Sequence, residues 1–143
     1  MAVSYTNNWK NIADKLKNIL SREFGRTLPV YIGEGNYSDN QFMKIIPTSN
    51  ELTERVVSAE LRQYNFNLII YIMEGNAGLV ALNNTLRILS KVESVIGNNQ
   101  TMTLTDSTTS INGELSSYEI EGSELYRYII TMDYMCHHLG CIS

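Results

Sequence analysis

The residue types able to hold a metal or carry a nucleophile gather in one place, Cys136-His137-His138-Leu139-Gly140-Cys141. Thiolates and imidazoles are zinc ligands, but a zinc site sets three or four of them on a tetrahedron, often from two separated pairs. Here all four candidates fall within six residues. The adjacent His137 and His138 point to opposite faces wherever the chain is extended. The spacing therefore predicts no metal site, and residues 136–143 read as an exposed tail with free thiols. Gly33-Glu34-Gly35 has neither a third glycine nor a following Lys-Ser/Thr, so it reads as a turn and not as a phosphate cradle. No Gly-x-Ser-x-Gly nucleophile elbow occurs. With both histidines side by side, a general base elsewhere would have to be a carboxylate, and no carboxylate pair is marked out by spacing. Glu93 falls on the apolar stripe of a predicted helix without an evident partner, and reads as an exposed position in its last turn. No catalytic, cofactor-binding or metal-ligating residue is predicted.

Composition narrows the classes further. The 143 residues suit a single domain, 1–143. A chain of this size buries about two-thirds of its unfolded surface and needs no staple. The formal charge is −4 and the pI about 5.1, with no basic stripe, so gripping nucleic-acid phosphates is not the expected task. The opening residues lack a basic segment followed by an apolar core, so they do not read as a secretory signal. The longest apolar run, Leu68–Met73, is far too short to span a bilayer. Two cysteines make no disulfide framework, which fits a reducing cytosol. Nine tyrosines against three phenylalanines favour rings that keep one wet tip, as interfaces do.

The element that organises the chain runs from Glu60 to Met73. Tyr64, Phe66, Leu68, Ile70 and Ile72 alternate, which means a strand with one buried face. The other face begins polar, with Asn65 and Asn67, and turns apolar at Ile69, Tyr71 and Met73. Before it, Trp9, Ile12, Ala13, Leu16, Ile19 and Leu20 fall at helical spacing, capped near Thr6–Asn8 and closed at Gly25. A short strand is predicted over Leu28–Ile32, with Pro29 favouring its start or an edge. A second covers Gln41–Ile46 and stops at Pro47; Phe42, Lys44 and Ile46 share one face, Met43 and Ile45 the other. Thr48–Glu60 reads as a loop or arm with a solvated charged surface. After a turn, Leu79, Leu82, Leu86, Leu89 and Ile96 mark a second helix, with Val92 taking over as the stripe drifts. Thr101–Thr105 is a short strand, residues 106–117 a flexible Ser/Thr-rich loop, Tyr118–Glu121 a strand. Leu125–Met135 is a second long strand, expected to pair with the first. The sum is a two-layer α+β domain. Its mixed, mostly antiparallel sheet has about four to five strands, two helices pack on one face, and the order is α-β-β-β-α-β-β.

This order resembles the tail terminator (tail completion) proteins of tailed bacteriophages and their relatives among neck and minor tail proteins. The resemblance is carried by Trp9-Lys10-Asn11-Ile12 in the opening helix and by Glu60-Leu61-Arg62-Gln63-Tyr64-Asn65-Phe66-Asn67-Leu68. The helix Leu79–Ile96 and Tyr126-Arg127-Tyr128-Ile129-Ile130 in the closing strand carry the rest. It spans nearly the whole chain as a pattern of elements, without a signature motif. It implies a virion protein made in the host bacterial cytoplasm, a homo-oligomeric ring, expected as a hexamer. The ring sits on the head-proximal end of the tail tube, stops its polymerisation and offers a docking surface to the head. The implied partners are the tail tube protein and the head–tail connector or neck protein, with DNA passing through the lumen unbound. No cofactor, membrane or enzymatic step is implied. The apolar residues that two helices on one face leave uncovered, Ile69, Tyr71, Met73 and Ile129, together with Arg62, are the expected subunit interface. The alternatives are a neck or head-completion ring protein, a small cytosolic ligand-binding domain or enzyme, and a metal-binding regulator built on the C-terminal cluster.

Overall fold

The computed structural model describes residues 5–35, 41–73, 78–122 and 127–141. Helix α1 is Asn8–Phe24, and it buries Ile12, Ala13, Leu16, Ile19, Leu20 and Phe24 as its spacing requires. The Asn7 side chain accepts from the Lys10 amide at 3.1 Å, satisfying one of the donors left free at a helix start. Gly25 ends the helix at φ 57°, a backbone region that costs glycine little, and its N–H donates to Ser21 at 2.8 Å. Helix α2, Gly78–Asn98, buries Thr85, Ile88, Leu89, Val92, Val95 and Ile96. Val92 does take over the stripe, but Leu86 is exposed: the buried line follows 85, 88/89, 92 and 95/96. Lys91 ties the two helices together, donating to the Glu23 carbonyl at 2.7 Å with its ammonium 4.8 Å from the Phe24 ring.

Both helices cover one face of a mixed, curled sheet. Its strands are β1 (Val30–Ile32), β2 (Gln41–Val56), β3 (Ala59–Met73), β4 (Met102–Thr103), β5 (Thr109–Gly122) and β6 (Arg127–Cys141). The order across the sheet is β1-β2-β3-β6-β5-β4. Only β1 and β2 run parallel; the other pairs are antiparallel. The expected α+β two-layer character stands, but with six strands instead of four to five. The two long strands are neighbours and pair from Ala59↔Cys141 to Met73↔Arg127 without a shift of register. Tyr64, Phe66, Leu68, Ile70 and Ile72 of β3 thereby lie beside Cys136, Tyr134, Met132, Ile130 and Tyr128 of β6 on the covered face.

Four expectations fail for related reasons. Pro47 does not stop its strand. It lies beyond β1, which pairs only with Met43–Ile45, so its missing N–H faces an unpaired edge, and the register shifts between Pro47 and Ser49. Thr48–Glu60 is not a loop: β2 continues to Val56, turns through Val57-Ser58, and enters β3 at Ala59. Residues 47–49 and 51–58 are all exposed, so neither face carries the alternation that marks a half-buried strand. The segments 106–117 and 136–143 are corrected likewise. β5 begins at Thr109 and bends by register shifts at Ile111/Glu114 and Leu115/Ser117, while β6 runs on to Cys141. Asn112, at φ 56°, stands where the first of these bulges breaks the period of two.

Gly113 follows in the same bulge. Its N–H donates to the Gln100 carbonyl at 2.8 Å, and a Cβ there would lie 2.5 Å from the Tyr134 hydroxyl and 3.2 Å from that carbonyl. Tyr134 is fully buried, with its ring centroid 6.2 Å from that of Phe66. Gly113→Ala should therefore lower stability by about 1–3 kcal/mol through overpacking, read as a lower urea midpoint at unchanged slope.

Candidate functional site

The C-terminal cluster does not converge. Because β6 continues as a strand, Cys136 and His138 lie on the covered face and His137 on the opposite one, paired in register with Gln63. The Cys141 side chain lies outside the described residues. No group of three or more His, Cys, Asp or Glu is placed to hold a metal among the described residues. Cys136 is not the exposed thiol expected: it is fully buried, and burial pushes its pKa up to about 12, leaving an inert thiol.

His138 is the residue that sequence reasoning misplaced most. It is buried, with Nε2 at 2.9 Å from the Thr108 hydroxyl; that hydroxyl lies 2.6 Å from Asp106 Oδ1, which also accepts the Thr108 amide at 3.1 Å. An ionised Asp106 only accepts, so Thr108 donates to it and His138 Nε2–H donates to Thr108. The proton order runs from His138 to Thr108 to Asp106. That is the wrong polarity for His138 to act as a base on Thr108, and the trio instead clasps the β4–β5 turn against β6. The Thr108 hydrogen bond holds the Asp106 carboxyl below its usual range. Burial lowers the His138 pKa, partly offset by Asp106. His138 Nδ1 is buried without a hydrogen-bond partner, so a proton there would be a stranded donor. The unfolded chain thus binds more protons than the folded one below the ordinary imidazole value of 6.5. Stability should be full above that value and decline as pH falls through the lower folded pKa. Urea midpoints measured from about pH 7 to about pH 5 should fall, and His138→Gln should flatten the fall.

Of the five residues predicted for an interface, Ile69, Tyr71 and Ile129 lie on the uncovered face of the sheet. At the β1 end, Tyr71 stacks on Phe42 with ring centroids 4.9 Å apart and planes 17° from parallel, and Tyr31 meets Phe42 edge-on at 6.2 Å. The Lys44 ammonium lies 4.8 Å from the Tyr71 ring and 2.9 Å from Glu34. Its hydrogen bond with Glu34 is the main cause that holds the Lys44 pKa above the ordinary value. Tyr71 is therefore partly consumed within its own chain. Ile69 is half-buried and Ile129, across from Tyr71, is 37% exposed. The Met73 side chain lies outside the described residues. Arg62 belongs to the other face and the other end: it pairs with Glu60 at 2.7 Å and donates to Asn50 at 2.9 Å, stiffening the base of the β2–β3 hairpin. Between the two ends runs a polar belt in which Asn65 bonds Ser49 and Gln63, and Ser117 bonds Asp133. Beyond it Val56, Leu61 and Leu139 form a second apolar zone.

On the helix side, a groove of about 520 Å³ opens between the end of α2 and β5, lined by Glu93, Ile96, Gln100, Glu114, Leu115 and Tyr118 among others. The Tyr118 hydroxyl donates to Glu93, so the acid that lay on the predicted stripe does have a partner, one that only the β5 register supplies. That bond is the main cause raising the Tyr118 pKa.

No family model matches the chain, and no curated protein does. Solved structures do share its fold. A chain from the virion of a native gene transfer agent particle superposes with a TM-score of 0.64 at 8% identity, over 96% of this chain and 100% of that one. A second solved structure matches with a TM-score of 0.63 at 8% identity, over 93% and 96% of the two chains.

Proposed function

We propose that this chain is a structural subunit of a phage-like virion, and that it acts as a tail terminator. The observation that carries the reading is the end-to-end likeness of fold to a chain of the gene transfer agent virion. The match covers 96% of this chain and 100% of that one, so the likeness is of the whole fold and not of a shared fragment. At 8% identity the likeness is one of fold, and the function is drawn from it by analogy. The surfaces of the chain support the reading. A half-apolar sheet face is left open by helices packed on one side only, and an exposed hairpin projects past them. The interior polar groups form a clasp with no catalytic polarity.

In this role six copies close into a ring on the head-proximal end of the tail tube, stop its growth, and present a surface to the connector. The acidic balance of the chain suits a lumen that DNA traverses without sticking. No cofactor or chemical step is involved. Ile129 is the position at which to test the open face, because Tyr71 is tied to Phe42 and Lys44. Ile129→Asp should leave a folded chain with an unchanged urea midpoint that no longer assembles; normal assembly would remove the open face from the interface.

The role itself is tested by electron microscopy of lysates from a phage or gene transfer agent lacking this gene. Intact heads beside free, overlong tails of irregular length are expected. Normal-length free tails with leaking heads would move the chain to the neck, as a head-completion ring. Normal particles would take it out of the virion.

A further inference from the structure

We infer that residues 101–112 form a flap latched by His138, which opens as a unit when that ring takes up a second proton. Acid then loosens one edge of the sheet while the centre remains paired. The inference does not rest on the virion reading.

The flap is set apart by its own geometry. β4 stands at the edge of the sheet and pairs with β5 only through Met102↔Ser110 and Thr103↔Thr109. β5 meets β6 at Ser110↔His138 and Ile111↔His137, and then the register breaks; the next pair is Glu114↔Met135. The two ends of the segment are pinned together at its base, where Gly113 donates to the Gln100 carbonyl at 2.8 Å. Asn112, at φ 56°, bends the chain beside that base, and Ser107, at φ 70°, bends it again in the turn. A pinned base, a bulge next to it and two short pairings make a separable unit and not a stretch of continuous ladder. Met102 and Leu104 hold it down in the core, and the bond from His138 to Thr108 holds it at the side.

Closure leaves polar groups unsatisfied. Ser110 Oγ and His138 Nδ1 are both buried without a hydrogen-bond partner, and water pairs both once the flap lifts. A second ring proton adds to that cost. The neutral ring donates through Nε2 to Thr108 and leaves Nδ1 bare, whereas the charged ring carries a hydrogen on both nitrogens. The surroundings do not welcome it. Asn8 Nδ2 and His138 Nδ1 stand 3.8 and 3.9 Å from the point that a Cβ on Gly140 would occupy. Asn8 opens α1, so a side-chain donor and the positive end of a helix lie on that side. On β3, Arg62 is level with His138, its guanidinium held by Glu60 and Asn50, and Tyr64 meets the imidazole edge-on at 6.3 Å. Along β6, burial raises the pKa values of Tyr134 and Cys136, so both neighbours are neutral. Asp106 is the one carboxylate bonded into the cluster among the described residues, and it reaches the ring only through Thr108. Opening the flap hydrates the ring and lets it charge freely. Because Gln100 and Gly113 also line the groove between α2 and β5, the position of the flap sets the shape of that end of the groove.

Amide hydrogen exchange on the full chain at pH 7 and pH 5 tests this. Each rate, divided by that of an unstructured amide at the same pH, gives an opening constant. Leu104, which donates to the Thr108 carbonyl at 2.8 Å, and Thr108, which donates to Asp106 at 3.1 Å, report on the flap. Leu68–Ile70 report on the centre, which exchanges through global unfolding. At pH 7 the flap amides should open at least about a hundredfold more often than the centre. Their opening constant should rise by at least about threefold at pH 5. The ceiling is about 25-fold, reached by a ring that stays neutral in the closed flap and titrates at the ordinary 6.5 in the open one. His138→Gln keeps an N–H donor for Thr108 and should remove the rise. His137→Gln, altered on the opposite face beside Ile111, should keep it. Flap and centre amides with equal opening constants would overturn the flap. A flap that opens equally often at both pH values, or a rise that survives His138→Gln, would overturn the latch. The wild-type comparison decides the first two outcomes without any variant.

Discussion

The pairing of β3 with β6 is the constraint on which the rest of the structure depends. Fifteen consecutive positions match without a bulge, whereas both flanking pairs, β2–β3 and β5–β6, shift register twice. A slip of one residue in the central pair would turn every inward side chain outward. The unbroken register instead sets Tyr64, Phe66, Leu68 and Ile70 beside Cys136, Tyr134, Met132 and Ile130, and makes one continuous apolar floor. Trp9 of α1 fixes the helix layer onto that floor, its ring edge-on to Tyr64 at 4.9 Å and to Phe66 at 5.3 Å. Irregularity is confined to the outer strands. There, bulges re-aim side chains without disturbing the centre.

This arrangement decides how much of the molecule the sequence reveals. Alternation of apolar and polar residues arises where one face of a strand is buried and the other is wet. Tyr64–Leu68 shows it, as do the stripes of α1 and the later half of α2, and all of these lie where residue order predicts them. The arm from Pro47 to Ser58 is wet on both faces, so its strand has no pattern to betray it. β5 hides for a different reason: its bulges at Ile111/Glu114 and Leu115/Ser117 break the period of two, so a paired strand reads as a Ser/Thr-rich loop. The C-terminal cluster was more legible than its composition suggests. Tyr134, Cys136 and His138 continue the buried face of Ile130 and Met132 in step, and that periodicity outranks any chemistry implied by neighbouring histidines. The partners of His138 and Glu93 could not be read, since Thr108 and Tyr118 reach them only through the register of β5.

The open face follows from the same register. It divides into an aromatic end, a polar belt and an aliphatic end, and the ends differ in how far they are already satisfied. At the aromatic end Phe42, Tyr71, Lys44 and Glu34 cover one another. Much of the apolar surface that the sequence offers for assembly is thereby spent inside the chain. Ile69 and Ile129 stay partly open to solvent.

The strand edges narrow the choice of contact further. β2 past Ile45 and β5 past Ser110 are long and unpaired on their outer sides, which invites another chain to add a strand. Both carry devices that discourage it. β2 has Pro47, two register shifts, and Glu51, Glu54 and Arg55. β5 has two register shifts, with Glu114, Glu119 and Glu121 spaced along it. Like charges on two bulged edges repel and cannot align a ladder, so strand addition between copies is the disfavoured route. What these edges leave exposed is the hairpin tip at Val56 and Val57. In the proposed ring, neighbours would have to meet through side chains, which fix an angle between them. A ladder between edges would set only a direction.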